Sequence, residues 1–87
     1  MRWHRVIFNY VDSLAGDGAR AAIMDKVSAV YRKAGVPPGV EVFLKNKNGA
    51  YIYYFSPGAY ELAHELLPNP EPCADEPDLT GFHKIPL

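Results

Sequence analysis

A single cysteine, Cys73, is the only thiol in the 87 residues, and one thiol cannot close an internal disulfide. A bridge-stapled scaffold is therefore excluded. No apolar run longer than a few residues follows Met1, so neither a secretory signal peptide nor a transmembrane helix is expected. The cytoplasm is the expected compartment and no membrane partner is expected. Charge of one sign is not in excess either. Nine Lys and Arg against ten Asp and Glu leave a net charge of -1, which argues against a nucleic-acid partner held by bulk charge.

Motifs for metals and phosphates are equally scarce. His4, His64 and His83 stand far apart, without the close spacing that places two ligands one helical turn apart. The stretch holding Glu71, Asp75, Glu76 and Asp78 lacks the Asp-x-Asp-x-Asp-Gly frame of a calcium loop and is interrupted by Pro72 and Pro77. Gly16-Asp17-Gly18-Ala19 has neither the lysine and serine of one nucleotide-binding pattern nor the glycine spacing of the other. No cofactor and no metal are expected. Cys73 sits among acids that should keep it a protonated, inert thiol. Glu61 and Glu65, one turn apart, read as solubilising charges. With no triad or carboxylate pair visible, no catalytic residue is assigned and an enzyme is not the favoured reading.

Present in quantity are apolar and aromatic residues, 48% and 13% of the chain. That suits one thin-cored domain, since a chain this short buries only roughly 60 to 65% of its unfolded surface. Trp3 to Val11 reads as a strand apolar on both alternating faces, which belongs in the middle of a sheet. Asp17, with Ser13 as the alternative, is expected to cap a helix over 19–34 whose core face is Ile23, Val27, Val30, Tyr31 and Ala34. Gly35 and Val36-Pro37-Pro38-Gly39 end it. Val40 to Lys45 alternates as an edge strand, Asn48-Gly49 marks a hairpin turn, and Ala50 to Phe55 is the return strand. Ser56-Pro57 starts a second helix that Pro68 stops.

Residues 1–67 thus read as a single α+β domain, 68–78 as a Pro-rich acidic loop, and 79–87 as a C-terminal strand or arm of the same domain. The order βαββα(β) matches a ferredoxin-like antiparallel sheet with two helices on one face, a two-layer sandwich with strands one and three central.

Tyrosine is the most informative residue type, with three of six copies in the third strand, because tyrosine marks interfaces. If Val6, Phe8, Val42 and Leu44 face the helices, the open face carries Trp3, Arg5, Ile7, Asn9, Glu41, Phe43 and Lys45. The third strand adds either Tyr51 and Tyr53 or Ile52 and Tyr54. The interface or ligand-binding candidates are accordingly Trp3, Arg5, Asn9, Phe43, Tyr51 and Tyr53. Such a face should meet a partner, either a second copy in a homodimer or another protein. Coverage by the C-terminal tail is one alternative. Another is a dimeric small-ligand-binding protein or enzyme in which His4, Asn9 and a third-strand tyrosine line a pocket. Ser56 and Gly58 read as a helix cap, with anion binding as the competing role. The RNA-recognition motif needs a basic residue, a glycine and spaced stacking aromatics in its third strand. Here Asn48, Ala50 and Ile52 occupy the decisive positions, so that motif is not met. A non-catalytic protein-interaction module is the expected function.

Overall fold

A computed structural model of the chain describes residues 2–9, 13–73 and 77–87, excluding the side chains of 13–17. The expected strand positions Tyr10 and Val11 and the acidic positions Asp75 and Glu76 lie outside the described residues. The elements are β1 (His4–Asn9), α1 (Ser13–Ala34), β2 (Val42–Lys47), β3 (Ala50–Phe55), α2 (Pro57–Ala63), one 3₁₀ turn over His64–Leu66, β4 (Glu71–Pro72) and β5 (His83–Lys84). All the strands belong to one antiparallel sheet of order β4-β1-β3-β2-β5. β1 and β3 lie inside it, where strands apolar on both faces are favoured.

Local chemistry sets the boundaries. Lys47 pairs with Ala50, leaving a two-residue loop in which Gly49 takes φ 80°, a left-handed conformation that glycine adopts without steric cost. Gly35 ends α1 at φ 62° in the same region. Pro57 opens α2 behind Ser56, whose hydroxyl accepts from the Ala59 N–H at 3.3 Å.

Helix α1 begins at Ser13, so Asp17 lies inside it rather than capping it. Interior glycines cost about 1 kcal/mol each, which makes Gly16 and Gly18 look like a break. Packing of the later turns outweighs that cost and carries the helix back to Ser13.

The core is built from one side of the sheet and both helices. Val6 of β1, Val42 of β2, and Tyr53 and Phe55 of β3 meet Met24, Val27 and Tyr31 of α1 and Ala59 and Ala63 of α2. Tyr31 is fully buried and its hydroxyl donates to the Ala59 carbonyl at 2.5 Å, tying the helices together.

Two differences from the sequence reading concern the C-terminal third. The stretch read as a loop contains β4, which pairs with β1 through His4 and Arg5. The tail strand, β5, pairs with β2 through Phe43 and Leu44, so β2 is not a sheet edge along its whole length. Two-residue strands flanked by proline carry no periodic signal, and proline denies the ladder a donor.

Candidate functional site

Strand alternation divides the candidate residues between two faces. Cross-strand partners point to the same side, and Val6 lies opposite Tyr53, Phe8 opposite Tyr51, and His4 opposite Phe55. Tyr51 and Tyr53 therefore face the helices, not the open side. There the Arg20 guanidinium donates to the Tyr53 hydroxyl at 2.7 Å and lies 4.1 Å from the Tyr51 ring centre. Tyr53 is buried, with Phe8 edge-on at 5.9 Å. The choice left open in β3 thus falls to Ile52 and Tyr54 on the outer face. Phe55 decides the parity, because the last residue of β3 is sealed in the core at 0% exposure.

The outer face is organised in cross-strand rows. One row runs across the whole sheet: Glu71 of β4, Arg5 of β1, Tyr54 of β3, Phe43 of β2 and Lys84 of β5. Its ends carry opposite charge and its middle is aromatic. The next row holds Ile7, Ile52 and Lys45, and the third Asn9, Ala50 and Lys47. On the other flank Trp3 sits with its ring 6.1 Å from that of Phe43. Ile7, at 41% exposure, is the large hydrophobic side chain left exposed among the described residues. Four of the six candidates, Trp3, Arg5, Asn9 and Phe43, are brought onto this face.

Two of the cations on this surface are paired with carboxylates within the chain. Arg5 donates to Glu71 at 2.9 Å, and Lys84 to Glu41 at 2.9 Å. Hydrogen bonds to Tyr54 and Glu71 hold the Arg5 guanidinium above its already high pKa. The tail reaches onto the middle of this face: Phe82 packs edge-on against Tyr54 at 5.0 Å, and the Lys45 ammonium lies 5.2 Å from the Phe82 ring centre. Glu71, Phe82 and Lys84 were not candidates from sequence, because their placement depends on the two short strands.

The remaining candidates resolve into structural roles or fail to converge. Ser56 is 3% exposed, and its hydroxyl accepts from the backbone N–H of Glu41 at 2.9 Å as well as that of Ala59. A Cβ on Gly58 would meet Val40 at 3.1 Å, so this junction is packed as well as capped. His4 points to the helix side and stacks on Tyr60 at 3.7 Å. Asn9 lies five residues along β1 on the other face, about 17 Å away at strand spacing. The pocket expected around His4, Asn9 and a β3 tyrosine therefore does not assemble within one subunit.

Cys73 lies against β1, its thiol donating to the Trp3 carbonyl at 3.1 Å. Burial pushes its pKa up, opposed by the nearby Arg5 charge. Burial rather than the neighbouring acids is thus the main reason the thiol stays protonated. A cleft of about 360 Å³ at the end of β1 is lined by Ile7, Phe8, Asn9, Ala19, Ile23, Pro68 and Asn69, none of them titratable. A smaller one of about 180 Å³ involves Arg2, His4, Pro57, Tyr60 and Glu61. Among the described residues no three His, Cys, Asp or Glu gather as metal ligands, and no helix is long and apolar enough to cross a membrane. No protein-family model matches the chain, and the comparisons with curated proteins and with solved structures find no similar one.

Proposed function

We propose that this protein is a non-catalytic, cytoplasmic protein-interaction module that works through the outer face of its sheet. The observation that carries this reading is the row from Glu71 to Lys84, an aromatic centre whose flanking charges are paired inside the chain. A nucleic acid would want cations available for phosphates, whereas Arg5 and Lys84 are already engaged by carboxylates. A protein partner would want apolar and aromatic area with a polar rim. Trp3, Ile7, Phe43, Ile52, Tyr54 and Phe82 supply the area, and the two ion pairs supply the rim.

The same proposal takes the architecture as ferredoxin-like, a two-layer sandwich. Support comes from the order β4-β1-β3-β2 and from helices α1 and α2 sharing one core. In that arrangement the face opposite the helices is the natural place for a partner.

Sedimentation of the intact chain at micromolar concentration tests the reading. Phe43→Glu places a charge in the middle of the face and should weaken association by more than about 30-fold, the effect of losing a hot spot of about 2 kcal/mol. Glu61→Gln on the exposed side of α2 should leave it unchanged. Equal sedimentation of all three proteins would sink the proposal.

A further inference from the structure

We propose that the partner is a second copy of this chain, packed sheet against sheet about a two-fold axis that runs along β3 through Tyr54. The inference rests on the sheet-face reading above and adds the occupant and its orientation. Its basis is the sign pattern of the row, with Glu71 at one end, Lys84 at the other and Tyr54 at the centre.

An isologous dimer sets each patch against itself, and aligned sheets admit two principal axes in the contact plane. An axis along the strands reverses the row from end to end. Glu71 of each copy then meets Lys84 of the other, Tyr54 meets Tyr54, and Arg5 lies over the ring of Phe43, a favourable cation–π placement. An axis across the strands leaves the row in order. Glu71 then meets Glu71, Arg5 meets Arg5 and Lys84 meets Lys84, and like charges so placed suppress association. The next row obeys the same logic, since the axis along β3 sets Ile52 on Ile52 and brings Ile7 beneath the alkyl stem of Lys45.

The dimensions suit this packing. The molecule measures 35 × 28 × 20 Å, and the four spacings between five strands span about 19 Å before side chains are added. A face of that breadth, carrying Trp3, Ile7, Phe43, Ile52, Tyr54 and Phe82, is on the scale of the about 800 Å² per subunit that a standard interface removes from water. The intrachain pairs Arg5–Glu71 and Glu41–Lys84 would become the two ends of four-membered charge networks, one at each rim.

A charge swap tests the axis. Glu71→Lys alone sets the introduced lysine against Lys84 twice per dimer, and Lys84→Glu alone sets the introduced glutamate against Glu71 twice. Each variant should dimerise about tenfold or more weakly than the parent at low ionic strength, where rim charges act over about 30 Å. An equimolar mixture of the two should recover the parent affinity as a heterodimer, because both contacts are again of opposite sign. The double variant Glu71→Lys, Lys84→Glu should recover it as a homodimer. Neither recovery follows from a purely intrachain role, since in each of these variants Arg5 or Glu41 still faces a like charge within its own chain. Native mass spectrometry reads the species directly. A parent dimer that Phe43→Glu dissociates, but whose singly reversed variants do not recover on mixing, would overturn the axis and leave the face reading standing. A monomeric parent would overturn both.

Discussion

Tyr31→Phe isolates the contact on which the two helices depend. The phenol donates to the Ala59 carbonyl at 2.5 Å, and both residues are 0% exposed. Water cannot replace the lost donor, so the expected loss at neutral pH is about 1 to 2 kcal/mol, a net hydrogen bond plus part of the desolvation of its acceptor. For a domain of this size that corresponds to a fall in Tm of about 5 to 10 °C. The ring is retained, so the larger cavity cost of about 3 to 5 kcal/mol expected for an aromatic-to-alanine change does not enter. Urea unfolding followed by circular dichroism measures the difference, with the m-value expected to stay unchanged.

The pH dependence supplies the sharper check. Burial raises the Tyr31 pKa above its ordinary value of 10.0. Below that pH the folded and unfolded chains both hold the proton, and the phenol contributes fully. As pH rises beyond it, the unfolded chain releases a proton that the folded chain keeps, so unfolding becomes easier by up to about 1.4 kcal/mol per pH unit from this group. Phenylalanine has no such proton. The gap between parent and variant should therefore shrink above pH 10 and close about one unit higher. Equal stability at neutral pH, or a gap that stays constant into the alkaline range, would refute the reasoning.

Three further outcomes follow from specific contacts. Ser56→Ala leaves two backbone donors, those of Glu41 and Ala59, without their acceptor; it should cost about 1 to 2 kcal/mol in thermal unfolding. Cys73→Ala should leave association unchanged, and in the parent the thiol should alkylate more slowly than free cysteine at neutral pH, because burial holds it protonated. Deleting 79–87 removes the Ile85 N–H bond to the Val42 carbonyl and the Phe82 ring from Tyr54. That chain should be less stable and, having lost Lys84 and Phe82 from the outer face, should dimerise more weakly than the parent in sedimentation.

What the sequence reveals follows the strength of its local signals. β3 was legible to the residue, since Asn48-Gly49 marks its start and Ser56-Pro57 its end. The central positions of β1 and β3 were legible from apolar residues on both of their faces. The outward side of β3 was not, because tyrosine and isoleucine alternate there with tyrosine and phenylalanine, and parity emerges only once Phe55 is seen in the core. The start of α1 was hidden behind Gly16 and Gly18, where local propensity and tertiary packing disagree. β4 was illegible for another reason, and of β5 only the presence of a strand in the tail was legible, not its extent or its place beside β2. Each spans two residues, and each is created by its neighbour, β1 or β2, rather than by its own pattern. The charged ends of the outer row belong to those strands, so the candidate site was visible as a patch while its polarity from Glu71 to Lys84 was not.

Trp3 permits the most direct test of whether this face is where association occurs. It is the sole tryptophan, it lies on the outer face beside Phe43, and it is partly exposed in the single chain. Its emission and its quenching by acrylamide can be followed through a dilution series of the intact protein, alongside sedimentation of the same samples. The emission should shift to the blue and quenching should weaken as concentration rises, with a midpoint matching the change in mass. A mass that doubles while Trp3 remains equally quenchable throughout would place the contact elsewhere and rule out the outer face as the site of association.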